Sequence, residues 1–546
     1  MKKILLNISS LLTAVITISM FIACSSDDNL DNKRSEDSKQ QLTFTLTDED
    51  FNADEEVSVT RAGKQSLEVA KDTIDLGNDI FAEATLERDT ARDAKPATRA
   101  VGMSNGTYTI LAYQSGVLKG TLKGTVTSNV FTATSANESL SLDPGTYTFY
   151  CCNDKVNISG NNLTVNRADA GTARIGVTTK TIPATPTKQK VDFIMKHVGV
   201  RVRTKVSGYM PFYSFADLVA KNNIPGSTTL DAITGSYTTD NSVAANTSLS
   251  AGSHSCNATS KGSGNTFDAL GDYYYLLPGT DLRDLMVEFS SLNIYKKTVS
   301  NTSVNGNRLL SSTTTQNGSY TLRITLKYRY KLLYQDGTVW KYNDIVPSGH
   351  GNPIAVVIND NDGTPHSGTA IALQDVYAGN EYPESPGMPS SYSVPSNTSM
   401  QDASNDKNGF SKTWSFNSHV YNGDILQGIM SDSPHGYPVK PFASATNLSK
   451  WYLPAAGEWA EVCDKLFFGS VTVTPINSIW SSLIFPDFFN YITGGALSQK
   501  YWTISTVSYN WVGLDMSTSN YAELLAKTYS VAPMPTTLSA RAFIHF

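Results

Sequence analysis

Cysteine, histidine and arginine are the side chains in this 546-residue sequence best placed to do chemistry, and their spacing excludes most of it. The five cysteines are Cys24, Cys151, Cys152, Cys256 and Cys463. None forms the CxxC pair that a zinc site needs, and the vicinal Cys151-Cys152 does not bridge easily. One disulfide is allowed, for instance through Cys256, but a disulfide framework is not. His197, His254, His350, His366, His419, His435 and His545 are scattered without HxxxH spacing, so no metal site is expected. Residues 359–364 fail as a calcium loop, because Gly363 at the sixth position would make Ile358 the first ligand. No phosphate loop, GxSxG elbow or paired-carboxylate motif occurs. The sequence therefore offers no catalytic constellation and no cofactor site. Two of the arginine–alanine junctions, Arg61-Ala62 and Arg99-Ala100, stand in loop-like surroundings ahead of the Tyr108–Tyr113 segment.

The elements that must position these residues begin with an export signal. Lys2-Lys3 and the apolar run after it are a charged n-region and an h-region. The run ends at Ala23-Cys24, which looks like a bacterial lipobox, with Phe21 where a leucine is usual. Residues 1–23 are then a signal peptide, and the mature Cys24 carries acyl chains that hold the chain to outer-membrane lipid. Ser25-Ser26-Asp27-Asp28 resembles the acidic tag that sends such lipoproteins to the cell surface in Bacteroidetes-type bacteria. Residues 24–40 have almost nothing to bury and read as a tether.

The rest is too long for one core, since domains divide beyond roughly 250–300 residues. Net charge is −6 and the isoelectric point about 5.7, which gives no electrostatic case for nucleic acid. Alternation marks strands at Gln41–Leu46, within 74–86, at Tyr108–Tyr113 and at Thr321–Tyr330. Asp143-Pro144-Gly145-Thr146 is a turn feeding Tyr147, Phe149 and Cys151 on one strand face. Val191 to Val206 reads as one strand, with Val198, Val200, Val202 and Val206 opposite Arg201, Arg203 and Lys205; His197 is a boundary residue in it, not a ligand. A short helix is expected near Phe212–Lys221 and another near Asp424–Met430. Residues 375–412 are Pro/Ser/Asn-rich and read as loop. Trp451-Tyr452-Leu453-Pro454 ends an extended segment, after which Trp459, Val462, Cys463, Leu466 and Phe467 fall on one helical stripe. Cys463 on that stripe is most simply core. The expected fold is mainly β, in three units: 41–190, 191–330 and 331–546.

Several stretches resemble the fimbrillin family, the lipoprotein subunits of type V pili. Across residues 24–330 they are Cys24 with its leader, Pro96-Ala97-Thr98-Arg99-Ala100, the Tyr108–Tyr113 strand, Pro144-Gly145-Thr146-Tyr147, Phe193-Ile194-Met195-Lys196-His197 and Leu277-Pro278-Gly279. The resemblance implies two transthyretin-like β-sandwich domains. It also implies maturation by a trypsin-like, arginine-specific protease that cuts between Arg99 and Ala100, with Arg61-Ala62 as the alternative. Loss of the strand before the cut would open a sheet edge for a strand from another pilus subunit.

Residues 331–546 are similar to the "major paralogous" module. The stretches are Asp336-Gly337-Thr338-Val339-Trp340, Ala370 to Asp375, Trp451 to Pro454 with Glu458, Tyr501-Trp502 and Arg541-Ala542-Phe543. Ala455-Ala456 stands where some relatives put Ser or Thr to cap the helix. The similarity implies an α+β, C-type-lectin-like C-terminal domain. Trp414, Trp480 and Trp511 lie outside the recurring stretches and are the candidates for aromatics that meet a ligand, either glycan or protein.

The function expected is therefore a cell-surface pilus subunit, a tip adhesin rather than a stalk, matured by proteolysis and assembled by strand exchange. A surface lipoprotein that keeps its anchor and captures glycan for nutrition is the alternative. An enzyme of the formylglycine-generating type is remote, because it needs reactive cysteines in an exposed, electropositive setting.

Overall fold

A computed structural model describes residues 39–51, 68–88, 103–128, 130–134, 140–186, 188–256, 267–300, 302–305, 313–376, 396–415, 420–421, 424–425, 430, 440–466, 468, 472–473, 478–481, 500–507, 510–515, 521–527 and 539–546. The chain is mainly β, built from several sheets with a small helical part. No helix among the described residues is long and apolar enough to cross a membrane.

The first unit is an eight-stranded sheet. One of its faces encloses Leu42, Tyr108, Ile110, Tyr147, Phe149, Cys151 and Phe193. The other packs Tyr113, Cys152, Leu163 and Val165 beneath the Asn162–Asn166 strand and its neighbours. Strict alternation along the Gly145–Asn153 strand explains why adjacent cysteines enter different cores. Its inward face matches the sequence reading, but Gly145 and Thr146, expected in a turn, already belong to the strand, with a bend at Pro144 before it.

The alternation from 191 to 206 slips phase: apolar positions are odd at Val191, Phe193 and Met195 and even at Val198, Val200, Val202 and Val206, and the chain changes sheets at that slip. Lys188–His197 belongs to the first unit and Val200–Gly208 to the second. The slip marks the switch, and sterics hold it in place. A Cβ on Gly199 would lie 2.0 Å from the carbonyl oxygen of Ala170, so only glycine passes there. The chain therefore passes from one sheet to the other between His197 and Val200.

The second unit packs a sheet of order 267–270, 200–208, 319–328, 80–88, 68–77 against a five-stranded sheet centred on Phe212–Ala220 and Leu285–Ile294. Their shared core holds Val202, Val206, Ile324, Leu326, Val287 and Phe289. Phe212–Ala220 is a strand, not the expected helix. It pairs without a break on both sides, and the extra residues at its two register shifts, Leu249 and Ser290, lie in the neighbouring strands. Leu218, Val219 and Ala220 are all buried, so apolar residues fall on both faces, and such a run is not told from a buried helix by period alone.

In the C-terminal unit, Lys331–Tyr334, Pro353–Asn359, Thr369–Ala372 and Phe543–His545 share one sheet. Among the described residues three short helices lie beyond it: α1 (Met400–Asn405), α2 (Gly409–Ser415) and α3 (Ala456–Lys465). α3 stands where the tryptophan-rich stretch predicts it. α1 and α2 fall in and beside a stretch read as loop; Ser399 caps α1 by accepting from the Asp402 N–H, and Ala403 is buried against the module core. Asp424–Ile425 is extended and pairs with Val420–Tyr421, so the helix expected from Asp424 does not start there.

Candidate functional site

The residues before Arg99 supply strands to both of the first two units. β1 (Gln40–Asp48) lies inside the eight-stranded sheet, parallel to Lys188–His197 over eight residue pairs and antiparallel to Leu140–Leu142. Leu42 and Leu46 are buried. Phe44 sits among Phe131, Phe149 and Phe193 with ring centres 6.2–6.5 Å away. Asp48 is buried 3.6 Å from Arg174, and burial raises its carboxyl above the usual range against the pull of that cation. Without β1 this sheet would hold a slot with unpaired backbone on both walls, which costs free energy wherever it is dry.

β2 (Glu68–Gly77) and β3 (Ile80–Arg88) form a hairpin whose turn, Asn78-Asp79, has positive φ at both residues, the geometry of a two-residue hairpin loop. The sequence reading placed this stretch with the first unit. Instead β3 pairs along its whole length with Ser319–Tyr328, the strand at the centre of the second unit. Ile80, Ala82 and Ala84 enter that core. On the opposite face Glu83 meets Lys327 at 2.8 Å, and both side chains are nearly buried. Asp75 meets Arg329 at 2.9 Å and Asp79 meets Lys341 at 2.9 Å.

Between the units, Phe51 stacks on His197 with ring centres 3.7 Å apart. Burial first, and then the nearby Arg174, lowers the imidazole to about 4. His197 is thus a neutral boundary residue. Among the described residues no group of three or more His, Cys, Asp or Glu could hold a metal.

Cys24, Arg61, Ala62, Arg99 and Ala100 lie outside the described residues. The nearest described positions to Arg99 and Ala100 are Arg88, at the end of β3, and Met103. Of the three candidate ligand aromatics, Trp414 is half-buried on α2. Its indole N–H donates to the Trp451 carbonyl at 3.2 Å, and Lys450 lies 4.5 Å above its ring. Trp480 and Trp511 belong to one sheet but are not brought together. Trp480 pairs with Ala522 and Trp511 with Lys527, five positions apart on the strand between them, or roughly 16 Å along it.

The frame of the C-terminal module is fully buried. Trp451 and Trp459 are inaccessible, and Glu458 accepts from the Tyr452 hydroxyl and the Ala455 N–H, each at 2.7 Å. Ala455 provides no cap, but Ser505 Oγ, reaching across from Lys500–Val507, accepts from the Ala456 N–H at 2.9 Å. Cys463 is buried on α3, and burial pushes its thiol well above its ordinary range, the reverse of what a nucleophile needs. Phe543–His545 is paired with Thr369–Ala372 within the same sheet. A cavity of about 430 Å³ opens where the second unit meets this module, among Asp79, Lys296, Tyr328, Lys331, Asp464 and Phe468.

The cation series Lys327, Arg329 and Lys341 is a feature that sequence reasoning missed. Its signal, alternation of basic and apolar residues from Thr321 to Tyr330, was visible, but not the acidic strand opposite it.

Among solved structures, the chain is similar to a fimbrial protein from Bacteroides ovatus, at 10% identity and TM-score 0.24 over 93% of this chain and 100% of that one. It is similar to a fimbrial protein from Bacteroides vulgatus, at 10% identity and TM-score 0.28 over 41% of this chain and 92% of that one. It is also similar to a fimbrial assembly protein from Parabacteroides distasonis, at 9% identity and TM-score 0.23 over 44% and 91%. No family model matches the chain, and no curated protein matches it in sequence.

Proposed function

We propose that this chain is a fimbrillin-type subunit of a surface fibre, exported as a lipoprotein through Cys24 and activated by cleavage between Arg99 and Ala100. The observation that carries the reading is the placement of β1 and β3. Both lie before Arg99 in sequence, and both are integral strands of sheets whose other members, β2 apart, lie after it. Cleavage there turns two complete sheets into two acceptors, one a slot between 188–197 and 140–142, the other an edge along 319–328. A strand from another subunit restores the lost backbone pairing, a recurrent mode of chain-to-chain recognition. Cleavage at Arg61 instead would free β1 alone and leave the hairpin seated, which supports Arg99 as the effective site.

The C-terminal module favours the tip. Its strand 543–545 is engaged within its own sheet and is not free to enter a neighbour. The module then meets the host, another cell or a glycan, with Trp414, Trp480 and Trp511 as the aromatics to test. Sequencing the mature N-terminus from surface fibres tests the reading: Ala100 is expected, and an intact acylated Cys24 in assembled fibres contradicts it.

A further inference from the structure

Three carboxylates of the hairpin, Asp75, Asp79 and Glu83, each face a cation that lies after Arg99, and one of these pairs, Glu83 with Lys327, is nearly buried. Lys327 is 5% exposed. A buried cation deprived of its countercharge is strongly destabilising, whereas an exposed one is simply rehydrated. On the other face of β3, Ala82 and Ala84 are fully buried opposite Leu326 and Ile324. A longer side chain at either position would overpack a filled core. Phe81, also buried, lies beneath the Arg329 guanidinium, 5.7 Å from ring centre to carbon.

We propose that the seat of β3 selects its replacement by charge as well as by shape: the strand that enters from another chain must carry a carboxylate between two small residues, in the register of Ala82-Glu83-Ala84. This rests on the maturation reading above. A strand with plain apolar alternation would regain the backbone pairing but would leave Lys327 without the charge that Glu83 supplies. A basic strand would add a second buried cation. The acceptor thereby rejects most β-forming segments, including hydrophobic ones that an open edge would otherwise attract. The occupant is a strand of a partner subunit, because cleavage frees the native segment and its imprint remains: room for two small residues on the inner face and the Lys327 ammonium on the opposite one.

The test uses the full chain with residues 96–100 replaced by the recognition site of an unrelated protease, so that it does not depend on whether Arg99 is the natural cut. After cleavage, labelled peptides spanning residues 68–88 compete for the vacated seat, read by fluorescence anisotropy. The unaltered peptide should bind. The Glu83→Lys peptide should bind on the order of 100-fold more weakly, and the Ala84→Leu peptide more weakly than the unaltered one. A full chain carrying Lys327→Glu should reverse the preference between Glu83 and Glu83→Lys peptides, which a merely misfolded variant would not do. Equal binding of the Glu83→Lys and unaltered peptides, or no reversal, overturns the proposal. A charge-selective seat together with an uncut native chain would instead retain the selection rule and discard the maturation reading.

Discussion

The two seats filled by residues before Arg99 are built on different physics. The seat of β1 is closed on both sides and filled by aromatic area, with Phe44 among three phenylalanines and its one buried ion pair at the strand's end. The seat of β3 opens toward β2, takes small residues on its inner face and holds an ion pair near its middle. Apolar burial is non-directional and tolerates many sequences of similar volume. A buried ion pair is weak as net stabilisation but severe toward a wrong partner. Under the proposed strand exchange, one seat would supply affinity and the other specificity.

The contrast can be broken most forcefully at Glu83. Glu83→Gln in the intact chain should cost about 3 kcal/mol in urea unfolding. A cost below about 1 kcal/mol would remove the distinction between the seats. Phe44→Ala should cost about 2–3 kcal/mol by loss of half-buried aromatic area, and the loss should not change with salt. If it does, electrostatics operates in both seats.

His197 sharpens the comparison by reporting on occupancy. Its folded value of about 4 lies below the ordinary 6.5. The intact chain therefore loses stability as pH falls from about 6.5 to about 4, where the unfolded chain takes up the proton first. Release of the segment that carries Phe51 should raise the imidazole toward 6.5, read by a proton NMR titration. An unchanged value after cleavage would mean that the segment has not left. The smallest effect is at the rim: Asp79 raises the Lys341 ammonium above its usual value, yet both groups are partly exposed, so Lys341→Ala should change stability by less than about 1 kcal/mol.

The sequence made individual elements legible where one physical constraint dominated. Alternation located β1 and the 319–328 strand because each buries one face, and the tryptophan stripe located α3 because a helix needs an apolar side. Pairing was not legible. Nothing in residues 68–88 says that their partner lies more than 200 positions away, since backbone hydrogen bonding is indifferent to sequence. Phe212–Ala220 escapes the alternation rule because its end is buried on both faces, at Leu218, Val219 and Ala220, and α1 escapes because a short helix depends on Ser399 and on packing rather than on propensity. For the candidate site, the arginine junctions could be named from sequence, but the strands whose release would matter could be identified only from the sheet order.

Backbone hydrogen exchange on the two acceptor strands, Lys188–His197 and Ser319–Tyr328, tests strand replacement most directly. Amides of both should be protected in the intact chain, exchange faster once the chain is cut at 99–100 and the segment removed, and regain protection in assembled fibres. Protection that persists in the cut, unassembled chain, or that fails to return in fibres, would contradict the account.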